Sequence, residues 1–331
     1  MAKMKFAILS FAHLHGFSYA AALGESAQVE FAAFSEENRA LREKMRKRYP
    51  KVQAFKDHQT LLREANVDAV IVTSPNAQHK QMTLDAARAG KSVLCEKPLA
   101  TTMADCREMI EACRKAGVVL MTAFPVRFSP AVEAAVRRIE AGDLGKIFAV
   151  KATNHGSMPG GWFVDRKRSG GGCIMDHTVH VIDLLRSLLK KEVVEVVSES
   201  ATRLHPIKVE DCGTLLFEME GGIIGSLDTS WSRGKGHPIE GDVTLEFKGE
   251  KANLSVDCFP QEMMVYDHVN LKPQALSLPD PLDLFMIEEF ADAVRSGRQP
   301  RITGEDGMRA VEVALGAYEA IKKRRPQRLG A

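Results

Sequence analysis

The stretch that decides the fold is KSVLCEKPL, residues Lys91–Leu99. Its apolar centre, residues 93–95, follows a helical pattern and predicts a short buried strand. Pro98 cannot donate to a β-ladder, so the strand should end there. Lys97 would then be held at the carboxyl end of a strand, which is where open α/β sheets bind ligands. Taken alone, Glu96 and Lys97 could equally be a solvated pair of charges at a strand end.

Short apolar runs alternate with helical patterns around this strand. Strands are predicted at 6–9, 29–34, 68–73, 93–95 and 118–121, and helices at 17–23, 38–49, 61–64, 78–89 and 101–117. Such alternation is typical of a parallel, doubly wound sheet with helices on both faces. The sequence therefore predicts a dinucleotide-binding Rossmann domain over residues 1–124.

The turn after the first strand reads SFAHLHG, residues 10–16. A dinucleotide fold normally carries GxGxxG here, so that the backbone can approach the pyrophosphate at a helix N-terminus. The matching positions are Ser10, Ala12 and His15, and none of them is glycine. Ser10 and Ala12 are small enough for a close approach. His15 is expected to replace helix–strand packing with a polar contact to phosphate or to protein.

Glu36 follows the second strand, about 20 residues after the turn, where a carboxylate can accept hydrogen bonds from the ribose hydroxyls. A carboxylate there repels a 2′-phosphate, which favours NAD over NADP. Arg39 and Arg42 are close enough in sequence to keep NADP open. The alternative role for Glu36 is a carboxylate at a helix N-terminus that interacts with the helix dipole.

The second half of the chain has a different pattern. Strands are predicted at 147–153, 192–201, 212–219, 223–231, 243–247 and 251–256, and two closing helices at 281–296 and 304–325. Few helices separate the strands, so their sheet should be mostly antiparallel. The predicted fold class is α/β: a Rossmann domain, then a second α/β domain over residues 125–331 with an open, mostly antiparallel sheet.

A helix in this second half carries polar groups that suit acid–base chemistry. Asp176 and His180 are four residues apart and therefore share one helical face. A carboxylate beside an imidazole orients the ring and raises its basicity. The preceding glycines, residues 170–172, are expected to give a flexible approach that can lie close to a ligand. The alternative is a hydrogen-bonded pair that only completes the start of the helix.

Asp176, His177 and His180 could also supply metal ligands at the same place, with His155 as a fourth. No Cys/His motif supports such a site, and the prediction is that the protein holds no metal.

The overall composition excludes several classes of protein. The chain has 331 residues and a net charge of +2, so neither nucleic acid nor a membrane surface is an expected partner. Its six cysteines form no CxxC motif, which predicts reduced thiols in a cytoplasmic protein. The N-terminus superficially imitates a signal peptide, but His13 and His15 interrupt its apolar run.

Several motifs occur in the order of a known family: Thr73–Asn76 with His79, Glu96-Lys97-Pro98, Arg127-Phe128, and Ser169–Gly172 followed by Asp176 and His180. On these residues the sequence resembles the glucose–fructose oxidoreductase / inositol dehydrogenase / MocA (Gfo/Idh/MocA) family of NAD(P)-dependent oxidoreductases, over nearly the whole chain. The resemblance implies hydride transfer between a carbon of a sugar, polyol or cyclitol and nicotinamide. It also implies that one face of the second sheet mediates homo-oligomers, either dimers or tetramers.

The resemblance also implies roles for individual residues. Lys97 would contact the nicotinamide ribose and the substrate hydroxyl, His180 would be the acid/base, and Asp176 would orient His180 or bind substrate. The active site is then expected in a cleft between the domains. Cofactor contacts are expected from Ser10, Ala12, His13, Leu14, Glu36, Ser74, Asn76, His79, Glu96 and Lys97. Substrate contacts are expected from Lys97, Arg127, His155, Trp162, Asp176, His177 and His180, although Trp162 alternatively packs in a core.

Two departures from the family pattern keep other functions open. The first turn lacks its glycines, which is expected to alter the geometry and affinity of cofactor binding. His177 lies between Asp176 and the usual small position, where Thr178 stands in place of glycine, so the choice of substrate is expected to be unusual. One alternative is a ligand- or cofactor-sensing protein without turnover. Another is a lyase or hydrolase that uses tightly bound NAD.

Overall fold

The computed structural model describes residues 3–234, 236–237, 241–259, 262–267, 272–277 and 280–330. The chain divides into two compact units. The first contains residues 1–125, 167–170 and 283–311, and the second contains residues 126–166, 171–282 and 312–331. The sequence-based boundary at residue 124 does not include the two later segments that group with the first unit.

Residues 3–125 of the first unit form six strands and five α-helices. In chain order these are β1 (Met4–Leu9), α1 (His15–Glu25), β2 (Val29–Ser35), α2 (Arg39–Arg48), β3 (Gln53–Phe55), α3 (His58–Glu64), β4 (Ala69–Val72), α4 (His79–Arg88), β5 (Ser92–Cys95), α5 (Met103–Ala116) and β6 (Leu120–Thr122). The sheet order is β3-β2-β1-β4-β5-β6, and every pair of neighbours is parallel. The predicted doubly wound parallel sheet is thereby confirmed.

The strand order reverses between β1 and β4, so this is the topological switch point of the sheet. The central strands β4 and β5 are buried along their whole length. The residues that follow β1, β2, β4 and β5 therefore meet at one edge of the sheet, and these are Ser10, Glu36, Thr73 and Glu96.

The second unit is built mainly from nine strands. The remaining elements of the chain are α6 (Pro130–Glu140), β7 (Ile147–Gly156), α7 (Arg166–Ser169), α8 (Cys173–Leu189), β8 (Val193–Ala201), β9 (Cys212–Met219), β10 (Ile223–Ser230), β11 (Gly241–Gly249), β12 (Asn253–Asp257), β13 (Glu262–Asp267), β14 (Lys272–Ser277), α9 (Leu282–Ser296), α10 (Gly304–Lys323) and β15 (Gln327–Arg328). Seven strands form one sheet in the order β12-β11-β7-β10-β9-β8-β15, and β13 and β14 form a separate ribbon.

This sheet is antiparallel except for the β7–β10 pair, which is parallel. The prediction of a mostly antiparallel sheet is confirmed. Helix α8 packs on one face against β7, β9 and β10. The sequence analysis did not predict α6, although Pro130 after Ser129 is typical of a helix start.

Two further observations concern the chain as a whole. All six cysteines are free thiols, and five of them are buried. Within the described ranges, every helix is too short or too polar to cross a membrane.

Candidate active site

The first turn keeps the backbone shape of a glycine turn without the glycine. Ser10, at the first glycine position of the motif, has a φ of 76°, in the left-handed region that non-glycine residues rarely occupy. Its hydroxyl oxygen accepts a hydrogen bond from the Ala12 N–H at 3.1 Å and donates to Glu36 Oε2 at 3.3 Å. These two bonds offset part of the backbone strain.

Gly16 provides the close helix–strand packing that the third glycine of the motif gives in other dinucleotide folds. A Cβ atom on Gly16 would lie 3.0 Å from Thr73 Oγ1 and 3.2 Å from Phe11 Cδ1. The packing glycine is therefore displaced by one residue from His15. The sequence analysis missed Gly16, although it directly follows the aligned position.

Glu36 lies buried at the end of β2, as its position in the sequence predicts. Its carboxylate accepts hydrogen bonds from the Phe11 N–H at 2.7 Å and from the Asn38 N–H at 2.8 Å. Arg42 donates to the Glu36 carbonyl at 2.6 Å. The carboxylate thus joins the first turn to the start of α2, a structural role close to the alternative considered for it.

A cavity of about 290 Å³ lies at this edge of the first sheet. Ser10, Ala12 and Glu36 all line it, so the structure brings these three predicted cofactor residues together. The charged residues of the lining are Glu36, Glu37, Asp57 and Arg168, with Asn38, His58, Pro75 and Gln78 among the others.

A cluster of histidines surrounds Glu96 at the end of β5. We define the histidine–carboxylate cluster as His13, His15, Tyr19 and Glu96. His15 Nδ1 lies 2.9 Å from Glu96 Oε1, and His13 Nε2 lies 3.9 Å from Oε2. The Tyr19 hydroxyl donates to Oε1. Tyr19 was not predicted, although it lies four residues after His15 on the same face of α1.

Glu96 is fully buried yet ionised. Burial alone would raise its pKa, but His13, His15 and Lys97 together hold the pKa well below its usual range. Burial and the Glu96 carboxylate both raise the pKa of the Tyr19 hydroxyl, so it remains a proton donor.

Lys97 is itself buried, with only 5% of its surface exposed. Its backbone N–H donates to Glu96 Oε2 at 2.9 Å, and its peptide bond to Pro98 is cis. The side chain is thus held at the carboxyl end of β5, where the sequence analysis places it.

The other predicted cofactor residues of this unit mostly contact protein groups. His79 is fully buried, with Nδ1 2.9 Å from the Pro98 carbonyl and Nε2 3.1 Å from the Ser74 carbonyl. Burial lowers the pKa of His79, and because a neutral imidazole carries a single N–H, the ring donates to only one of these two carbonyls at a time. The Asn76 side chain donates to the Ser169 carbonyl at 2.8 Å. Leu14 is exposed in the first turn, directly before α1.

In the second unit, α8 presents Asp176 and His180 one turn apart. Asp176 Oδ2 accepts a hydrogen bond from Trp231 Nε1 at 2.9 Å and lies 3.3 Å from His177 Nε2. His177 Nδ1 donates to the Asn154 carbonyl at 2.9 Å. Trp231 is 55 residues from Asp176 in sequence and was not predicted.

The glycines before α8 serve packing, which differs from the flexible approach that the sequence suggests. A Cβ on Gly171 would lie 1.9 Å from the Tyr318 hydroxyl, and one on Gly172 would lie 2.0 Å from the Glu210 carbonyl. Glu210 accepts from the Gly172 N–H at 2.7 Å and from Tyr318 at 2.5 Å, while the Met175 N–H donates to Tyr318 at 3.1 Å. These bonds satisfy backbone donors at the start of α8.

Arg127, a predicted substrate residue, binds another side chain of the protein. It forms a two-bond ion pair with buried Asp183, at 2.6 and 2.5 Å. Trp162 is buried and stacks on Phe163 with ring centroids 3.9 Å apart, which fits the core role considered for it.

His155 lies on β7 and is paired with two carboxylates. It directly follows Asn154 on β7, and the backbone carbonyl of Asn154 binds His177. The His155 ring lies 2.9 Å from the Asp242 carboxylate and 3.4 Å from the Asp228 carboxylate. The Asp242 hydrogen bond raises the pKa of His155 despite partial burial. The described contacts of the His155 ring are therefore with carboxylates on β10 and β11.

Comparisons with known proteins agree with this architecture. Residues 10–124 match an oxidoreductase family with an NAD-binding Rossmann fold, and residues 132–255 match the GFO/IDH/MocA C-terminal domain. The chain is 32% identical over 272 residues to 1,5-anhydro-D-fructose reductase of Ensifer adhaerens, covering 78% of this chain and 79% of that protein. It is 28% identical over 292 residues to myo-inositol 2-dehydrogenase of Thermotoga maritima, covering 84% of each.

A solved structure shares the fold over the whole chain. GenD2 from gentamicin A biosynthesis, crystallised in complex with NAD, superposes with a TM-score of 0.91 at 23% identity, covering 100% of this chain and 98% of that one. The family match over residues 10–124 includes the glycine-poor turn, which therefore belongs to an NAD-binding Rossmann domain, and the chain is a member of the Gfo/Idh/MocA family of oxidoreductases.

Proposed function

We propose that this protein is an NAD-dependent dehydrogenase that acts on a secondary hydroxyl of a sugar, polyol or cyclitol. The observation that carries the proposal is the buried Lys97 amine at the carboxyl end of β5, beside the ionised Glu96. Relatives named for inositol and 1,5-anhydro-D-fructose support this class of substrate.

The residues of the first unit fit the cofactor. The cavity lined by Ser10, Ala12 and Glu36 lies at the switch point of the sheet, where a dinucleotide is expected. Its carboxylates favour ribose hydroxyls over a 2′-phosphate. When bound, the nicotinamide ring accepts or returns the hydride.

Lys97 stabilises the charge that develops on the substrate oxygen. An alcohol must lose its proton as the hydride leaves, and a cation held in a dry environment lowers the energy of the developing alkoxide. Because Lys97 is almost wholly buried, its charge is little screened by water.

His180 takes or returns the proton of the substrate hydroxyl. Asp176, one turn earlier on α8, orients His180 or binds the substrate. Trp231 holds the Asp176 carboxylate in a fixed orientation through its indole N–H. A well-placed acid/base contributes about 10²–10⁴-fold to such a proton transfer.

The test compares His180→Gln and Lys97→Met with the wild type. Both variants should lose at least about a hundredfold in kcat, and His180→Gln should keep its affinity for NADH. The measurement is NADH formation with a panel of inositols, aldoses and anhydro-sugars. Wild-type turnover that survives both substitutions would end the assignment of these roles.

We also propose that a second copy of this chain covers one face of the second sheet. We call it the outer face and define it by the exposed residues Leu216 and Ile224. Leu216 and Ile224 are 58% and 63% exposed on adjacent strands there, and a cavity of about 570 Å³ lies above them. Lys151, Glu195 and Glu218 at this face offer charges of both signs, which suits self-association. The free, mostly buried thiols support a cytoplasmic location.

A further inference from the structure

The histidine–carboxylate cluster stands where the first turn meets the end of β5, and neither the family match nor the proposed reaction assigns it a role. His15 is the first residue of α1 and occupies the third glycine position of the dinucleotide motif. Its side chain is 39% exposed, whereas Glu96 is fully buried. The pair thus joins a solvent-accessible imidazole on the turn to a buried carboxylate beside Lys97.

The cluster has the composition of a metal site, because ligand atoms of His13, His15 and Glu96 all lie within 4.8 Å of one another. The hydrogen bonds argue against that role. The backbone N–H of His15 donates to His13 Nδ1 at 3.1 Å, so Nδ1 acts as an acceptor and carries no proton. A neutral His13 ring therefore carries its proton on Nε2, the atom that faces Glu96. A histidine that binds metal through Nε2 needs the opposite arrangement, with the proton on Nδ1.

The charges around His15 favour its protonated form. Burial alone would lower the pKa of His15, but Glu96 raises it above the usual value, and Asp283 at the start of α9 acts in the same direction. Lys97 opposes them. Among the described residues, the His13 ring and the Tyr19 hydroxyl also face this pair. Tyr19 donates to the Glu96 carboxylate, and His13 Nε2 lies 3.9 Å from it.

We propose that His15 is a positioning residue for the cofactor: its ion pair with Glu96 fastens the first turn to the end of β5, so that breaking the pair weakens NAD(H) binding. Gly16 supplies the close packing of the third glycine, and the His15–Glu96 pair adds a side-chain link between the turn and the end of β5. The proposal rests on NAD binding by the first unit and is independent of the substrate and of the roles given to Lys97 and His180.

A dependence on pH follows from the pair. Because the pKa of His15 is raised, the imidazolium and its charge-assisted hydrogen bond are fully present below the ordinary histidine pKa, and are lost as the pH rises through the raised value. Glu96 stays ionised throughout this range, because its pKa lies well below the ordinary one. The diphosphate of the cofactor keeps its charge as well. NADH binding should therefore weaken toward alkaline pH.

The experiment is calorimetric titration of the full-length protein with NADH from about pH 6 to about pH 9. For the wild type the Kd should rise by about tenfold across the range, as a charge-assisted hydrogen bond becomes a neutral one. His15→Gln should bind NADH weakly at every pH, with a flat profile. His205→Gln is the matched control, because His205 also faces a carboxylate, that of Asp211 at 3.3 Å, in the second unit. It should reproduce the wild-type profile.

A second variant distinguishes the effect of losing the ion pair from the effect of having no glycine at residue 15. His15→Gly restores the glycine of the dinucleotide motif and removes the pair. We expect it to bind NADH as weakly as His15→Gln. Wild-type affinity at about pH 6 in either variant, or a wild-type pH profile in His15→Gln, would overturn the proposal.

A third measurement needs no substitution. Proton linkage is reciprocal, so if binding needs the imidazolium, NADH must raise the pKa of His15 in a histidine-ring NMR titration. An unchanged pKa on NADH saturation would contradict the proposal. So would stoichiometric binding of Zn²⁺ to the wild type that His15→Gln abolishes. If NADH binding follows the expected profile but no polyol is oxidised, only the proposed substrate chemistry fails.

Discussion

Ser10 shows how a single residue can hold a conformation that usually requires glycine. Its φ of 76° is left-handed, and its hydroxyl bonds to Ala12 and Glu36 fix the turn from within. The sequence analysis predicts the small size of Ser10 and its place at the cofactor, but not its backbone conformation. That conformation depends on Glu36, 26 residues later, which no local pattern reports.

Substitutions at Ser10 should separate strain from hydrogen bonding. Ser10→Ala keeps the left-handed strain and loses both side-chain bonds, so it should lower the free energy of unfolding by about 1–2 kcal/mol. Ser10→Gly loses the same bonds but relieves the strain, so it should be about 1 kcal/mol more stable than the alanine variant. Urea unfolding followed by circular dichroism measures both. An alanine variant at least as stable as the glycine variant would refute the strain argument.

The carboxylates of Glu36, Glu37 and Asp57 should set the choice of cofactor. They line the cavity beside Arg168, so a 2′-phosphate there would meet mainly negative charge. We expect NADH to bind at least about tenfold more tightly than NADPH, and the difference to narrow as added salt screens the repulsion. Calorimetry at low and high ionic strength provides the test. Tighter binding of NADPH would instead indicate that a cation such as Arg168 binds the 2′-phosphate of the ribose.

At the scale of elements, the packing of helix α1 requires a glycine at residue 16 but not at residue 24. Gly16 faces Thr73 and Phe11 closely, whereas a Cβ on Gly24 meets nothing within 4 Å. Gly16→Ala should therefore destabilise the first unit by about 1–3 kcal/mol through overpacking. Gly24→Ala should be neutral or stabilise it by up to about 1 kcal/mol, as expected for a helical position.

This pair of variants is internally controlled, because both add one methyl group to the same helix. Thermal unfolding midpoints should move in opposite directions, or the Gly24→Ala midpoint should stay unchanged. Equal destabilisation by both substitutions would mean that Gly16 is not a packing glycine.

Helix α8 illustrates what sequence can say about an element and what it cannot. The four-residue spacing of Asp176 and His180 correctly places both residues on one helix. The contacts that hold the helix start come from Glu210 and Tyr318, on distant segments of the second unit. For the same reason the glycines before α8 looked flexible in sequence but are packing positions in the structure.

At the scale of the whole molecule, the alternation of strands and helices predicts the first sheet, and the run of strands with few helices between them predicts the second. Neither pattern predicts the parallel β7–β10 pair, or that residues 283–311 group with the first unit. Both depend on contacts between segments far apart in the chain. Tyr19 and Trp231 were missed for the same reason, since their carboxylate partners lie 77 and 55 residues away.

The outer face of the second sheet gives a prediction about assembly. Ile224→Glu places a charge on the exposed apolar face and should shift the protein toward a monomer in sedimentation experiments, because a buried unpaired charge costs several kcal/mol. Leu204→Glu is the control, since Leu204 is also half exposed but lies outside that face. A wild-type protein that is already monomeric would rule out this interface.

The central claim is that this protein moves a hydride between a polyol carbon and NAD, and isotope transfer tests it most directly. Inositols and sugars deuterated at the carbinol carbon are incubated with the wild type and NAD⁺, and the nicotinamide is analysed by mass spectrometry. We predict that the NADH released into solution carries the deuterium and that His180→Gln releases far less of it. The claim would be contradicted if NAD binds but no deuterium reaches the free NADH from any member of the panel.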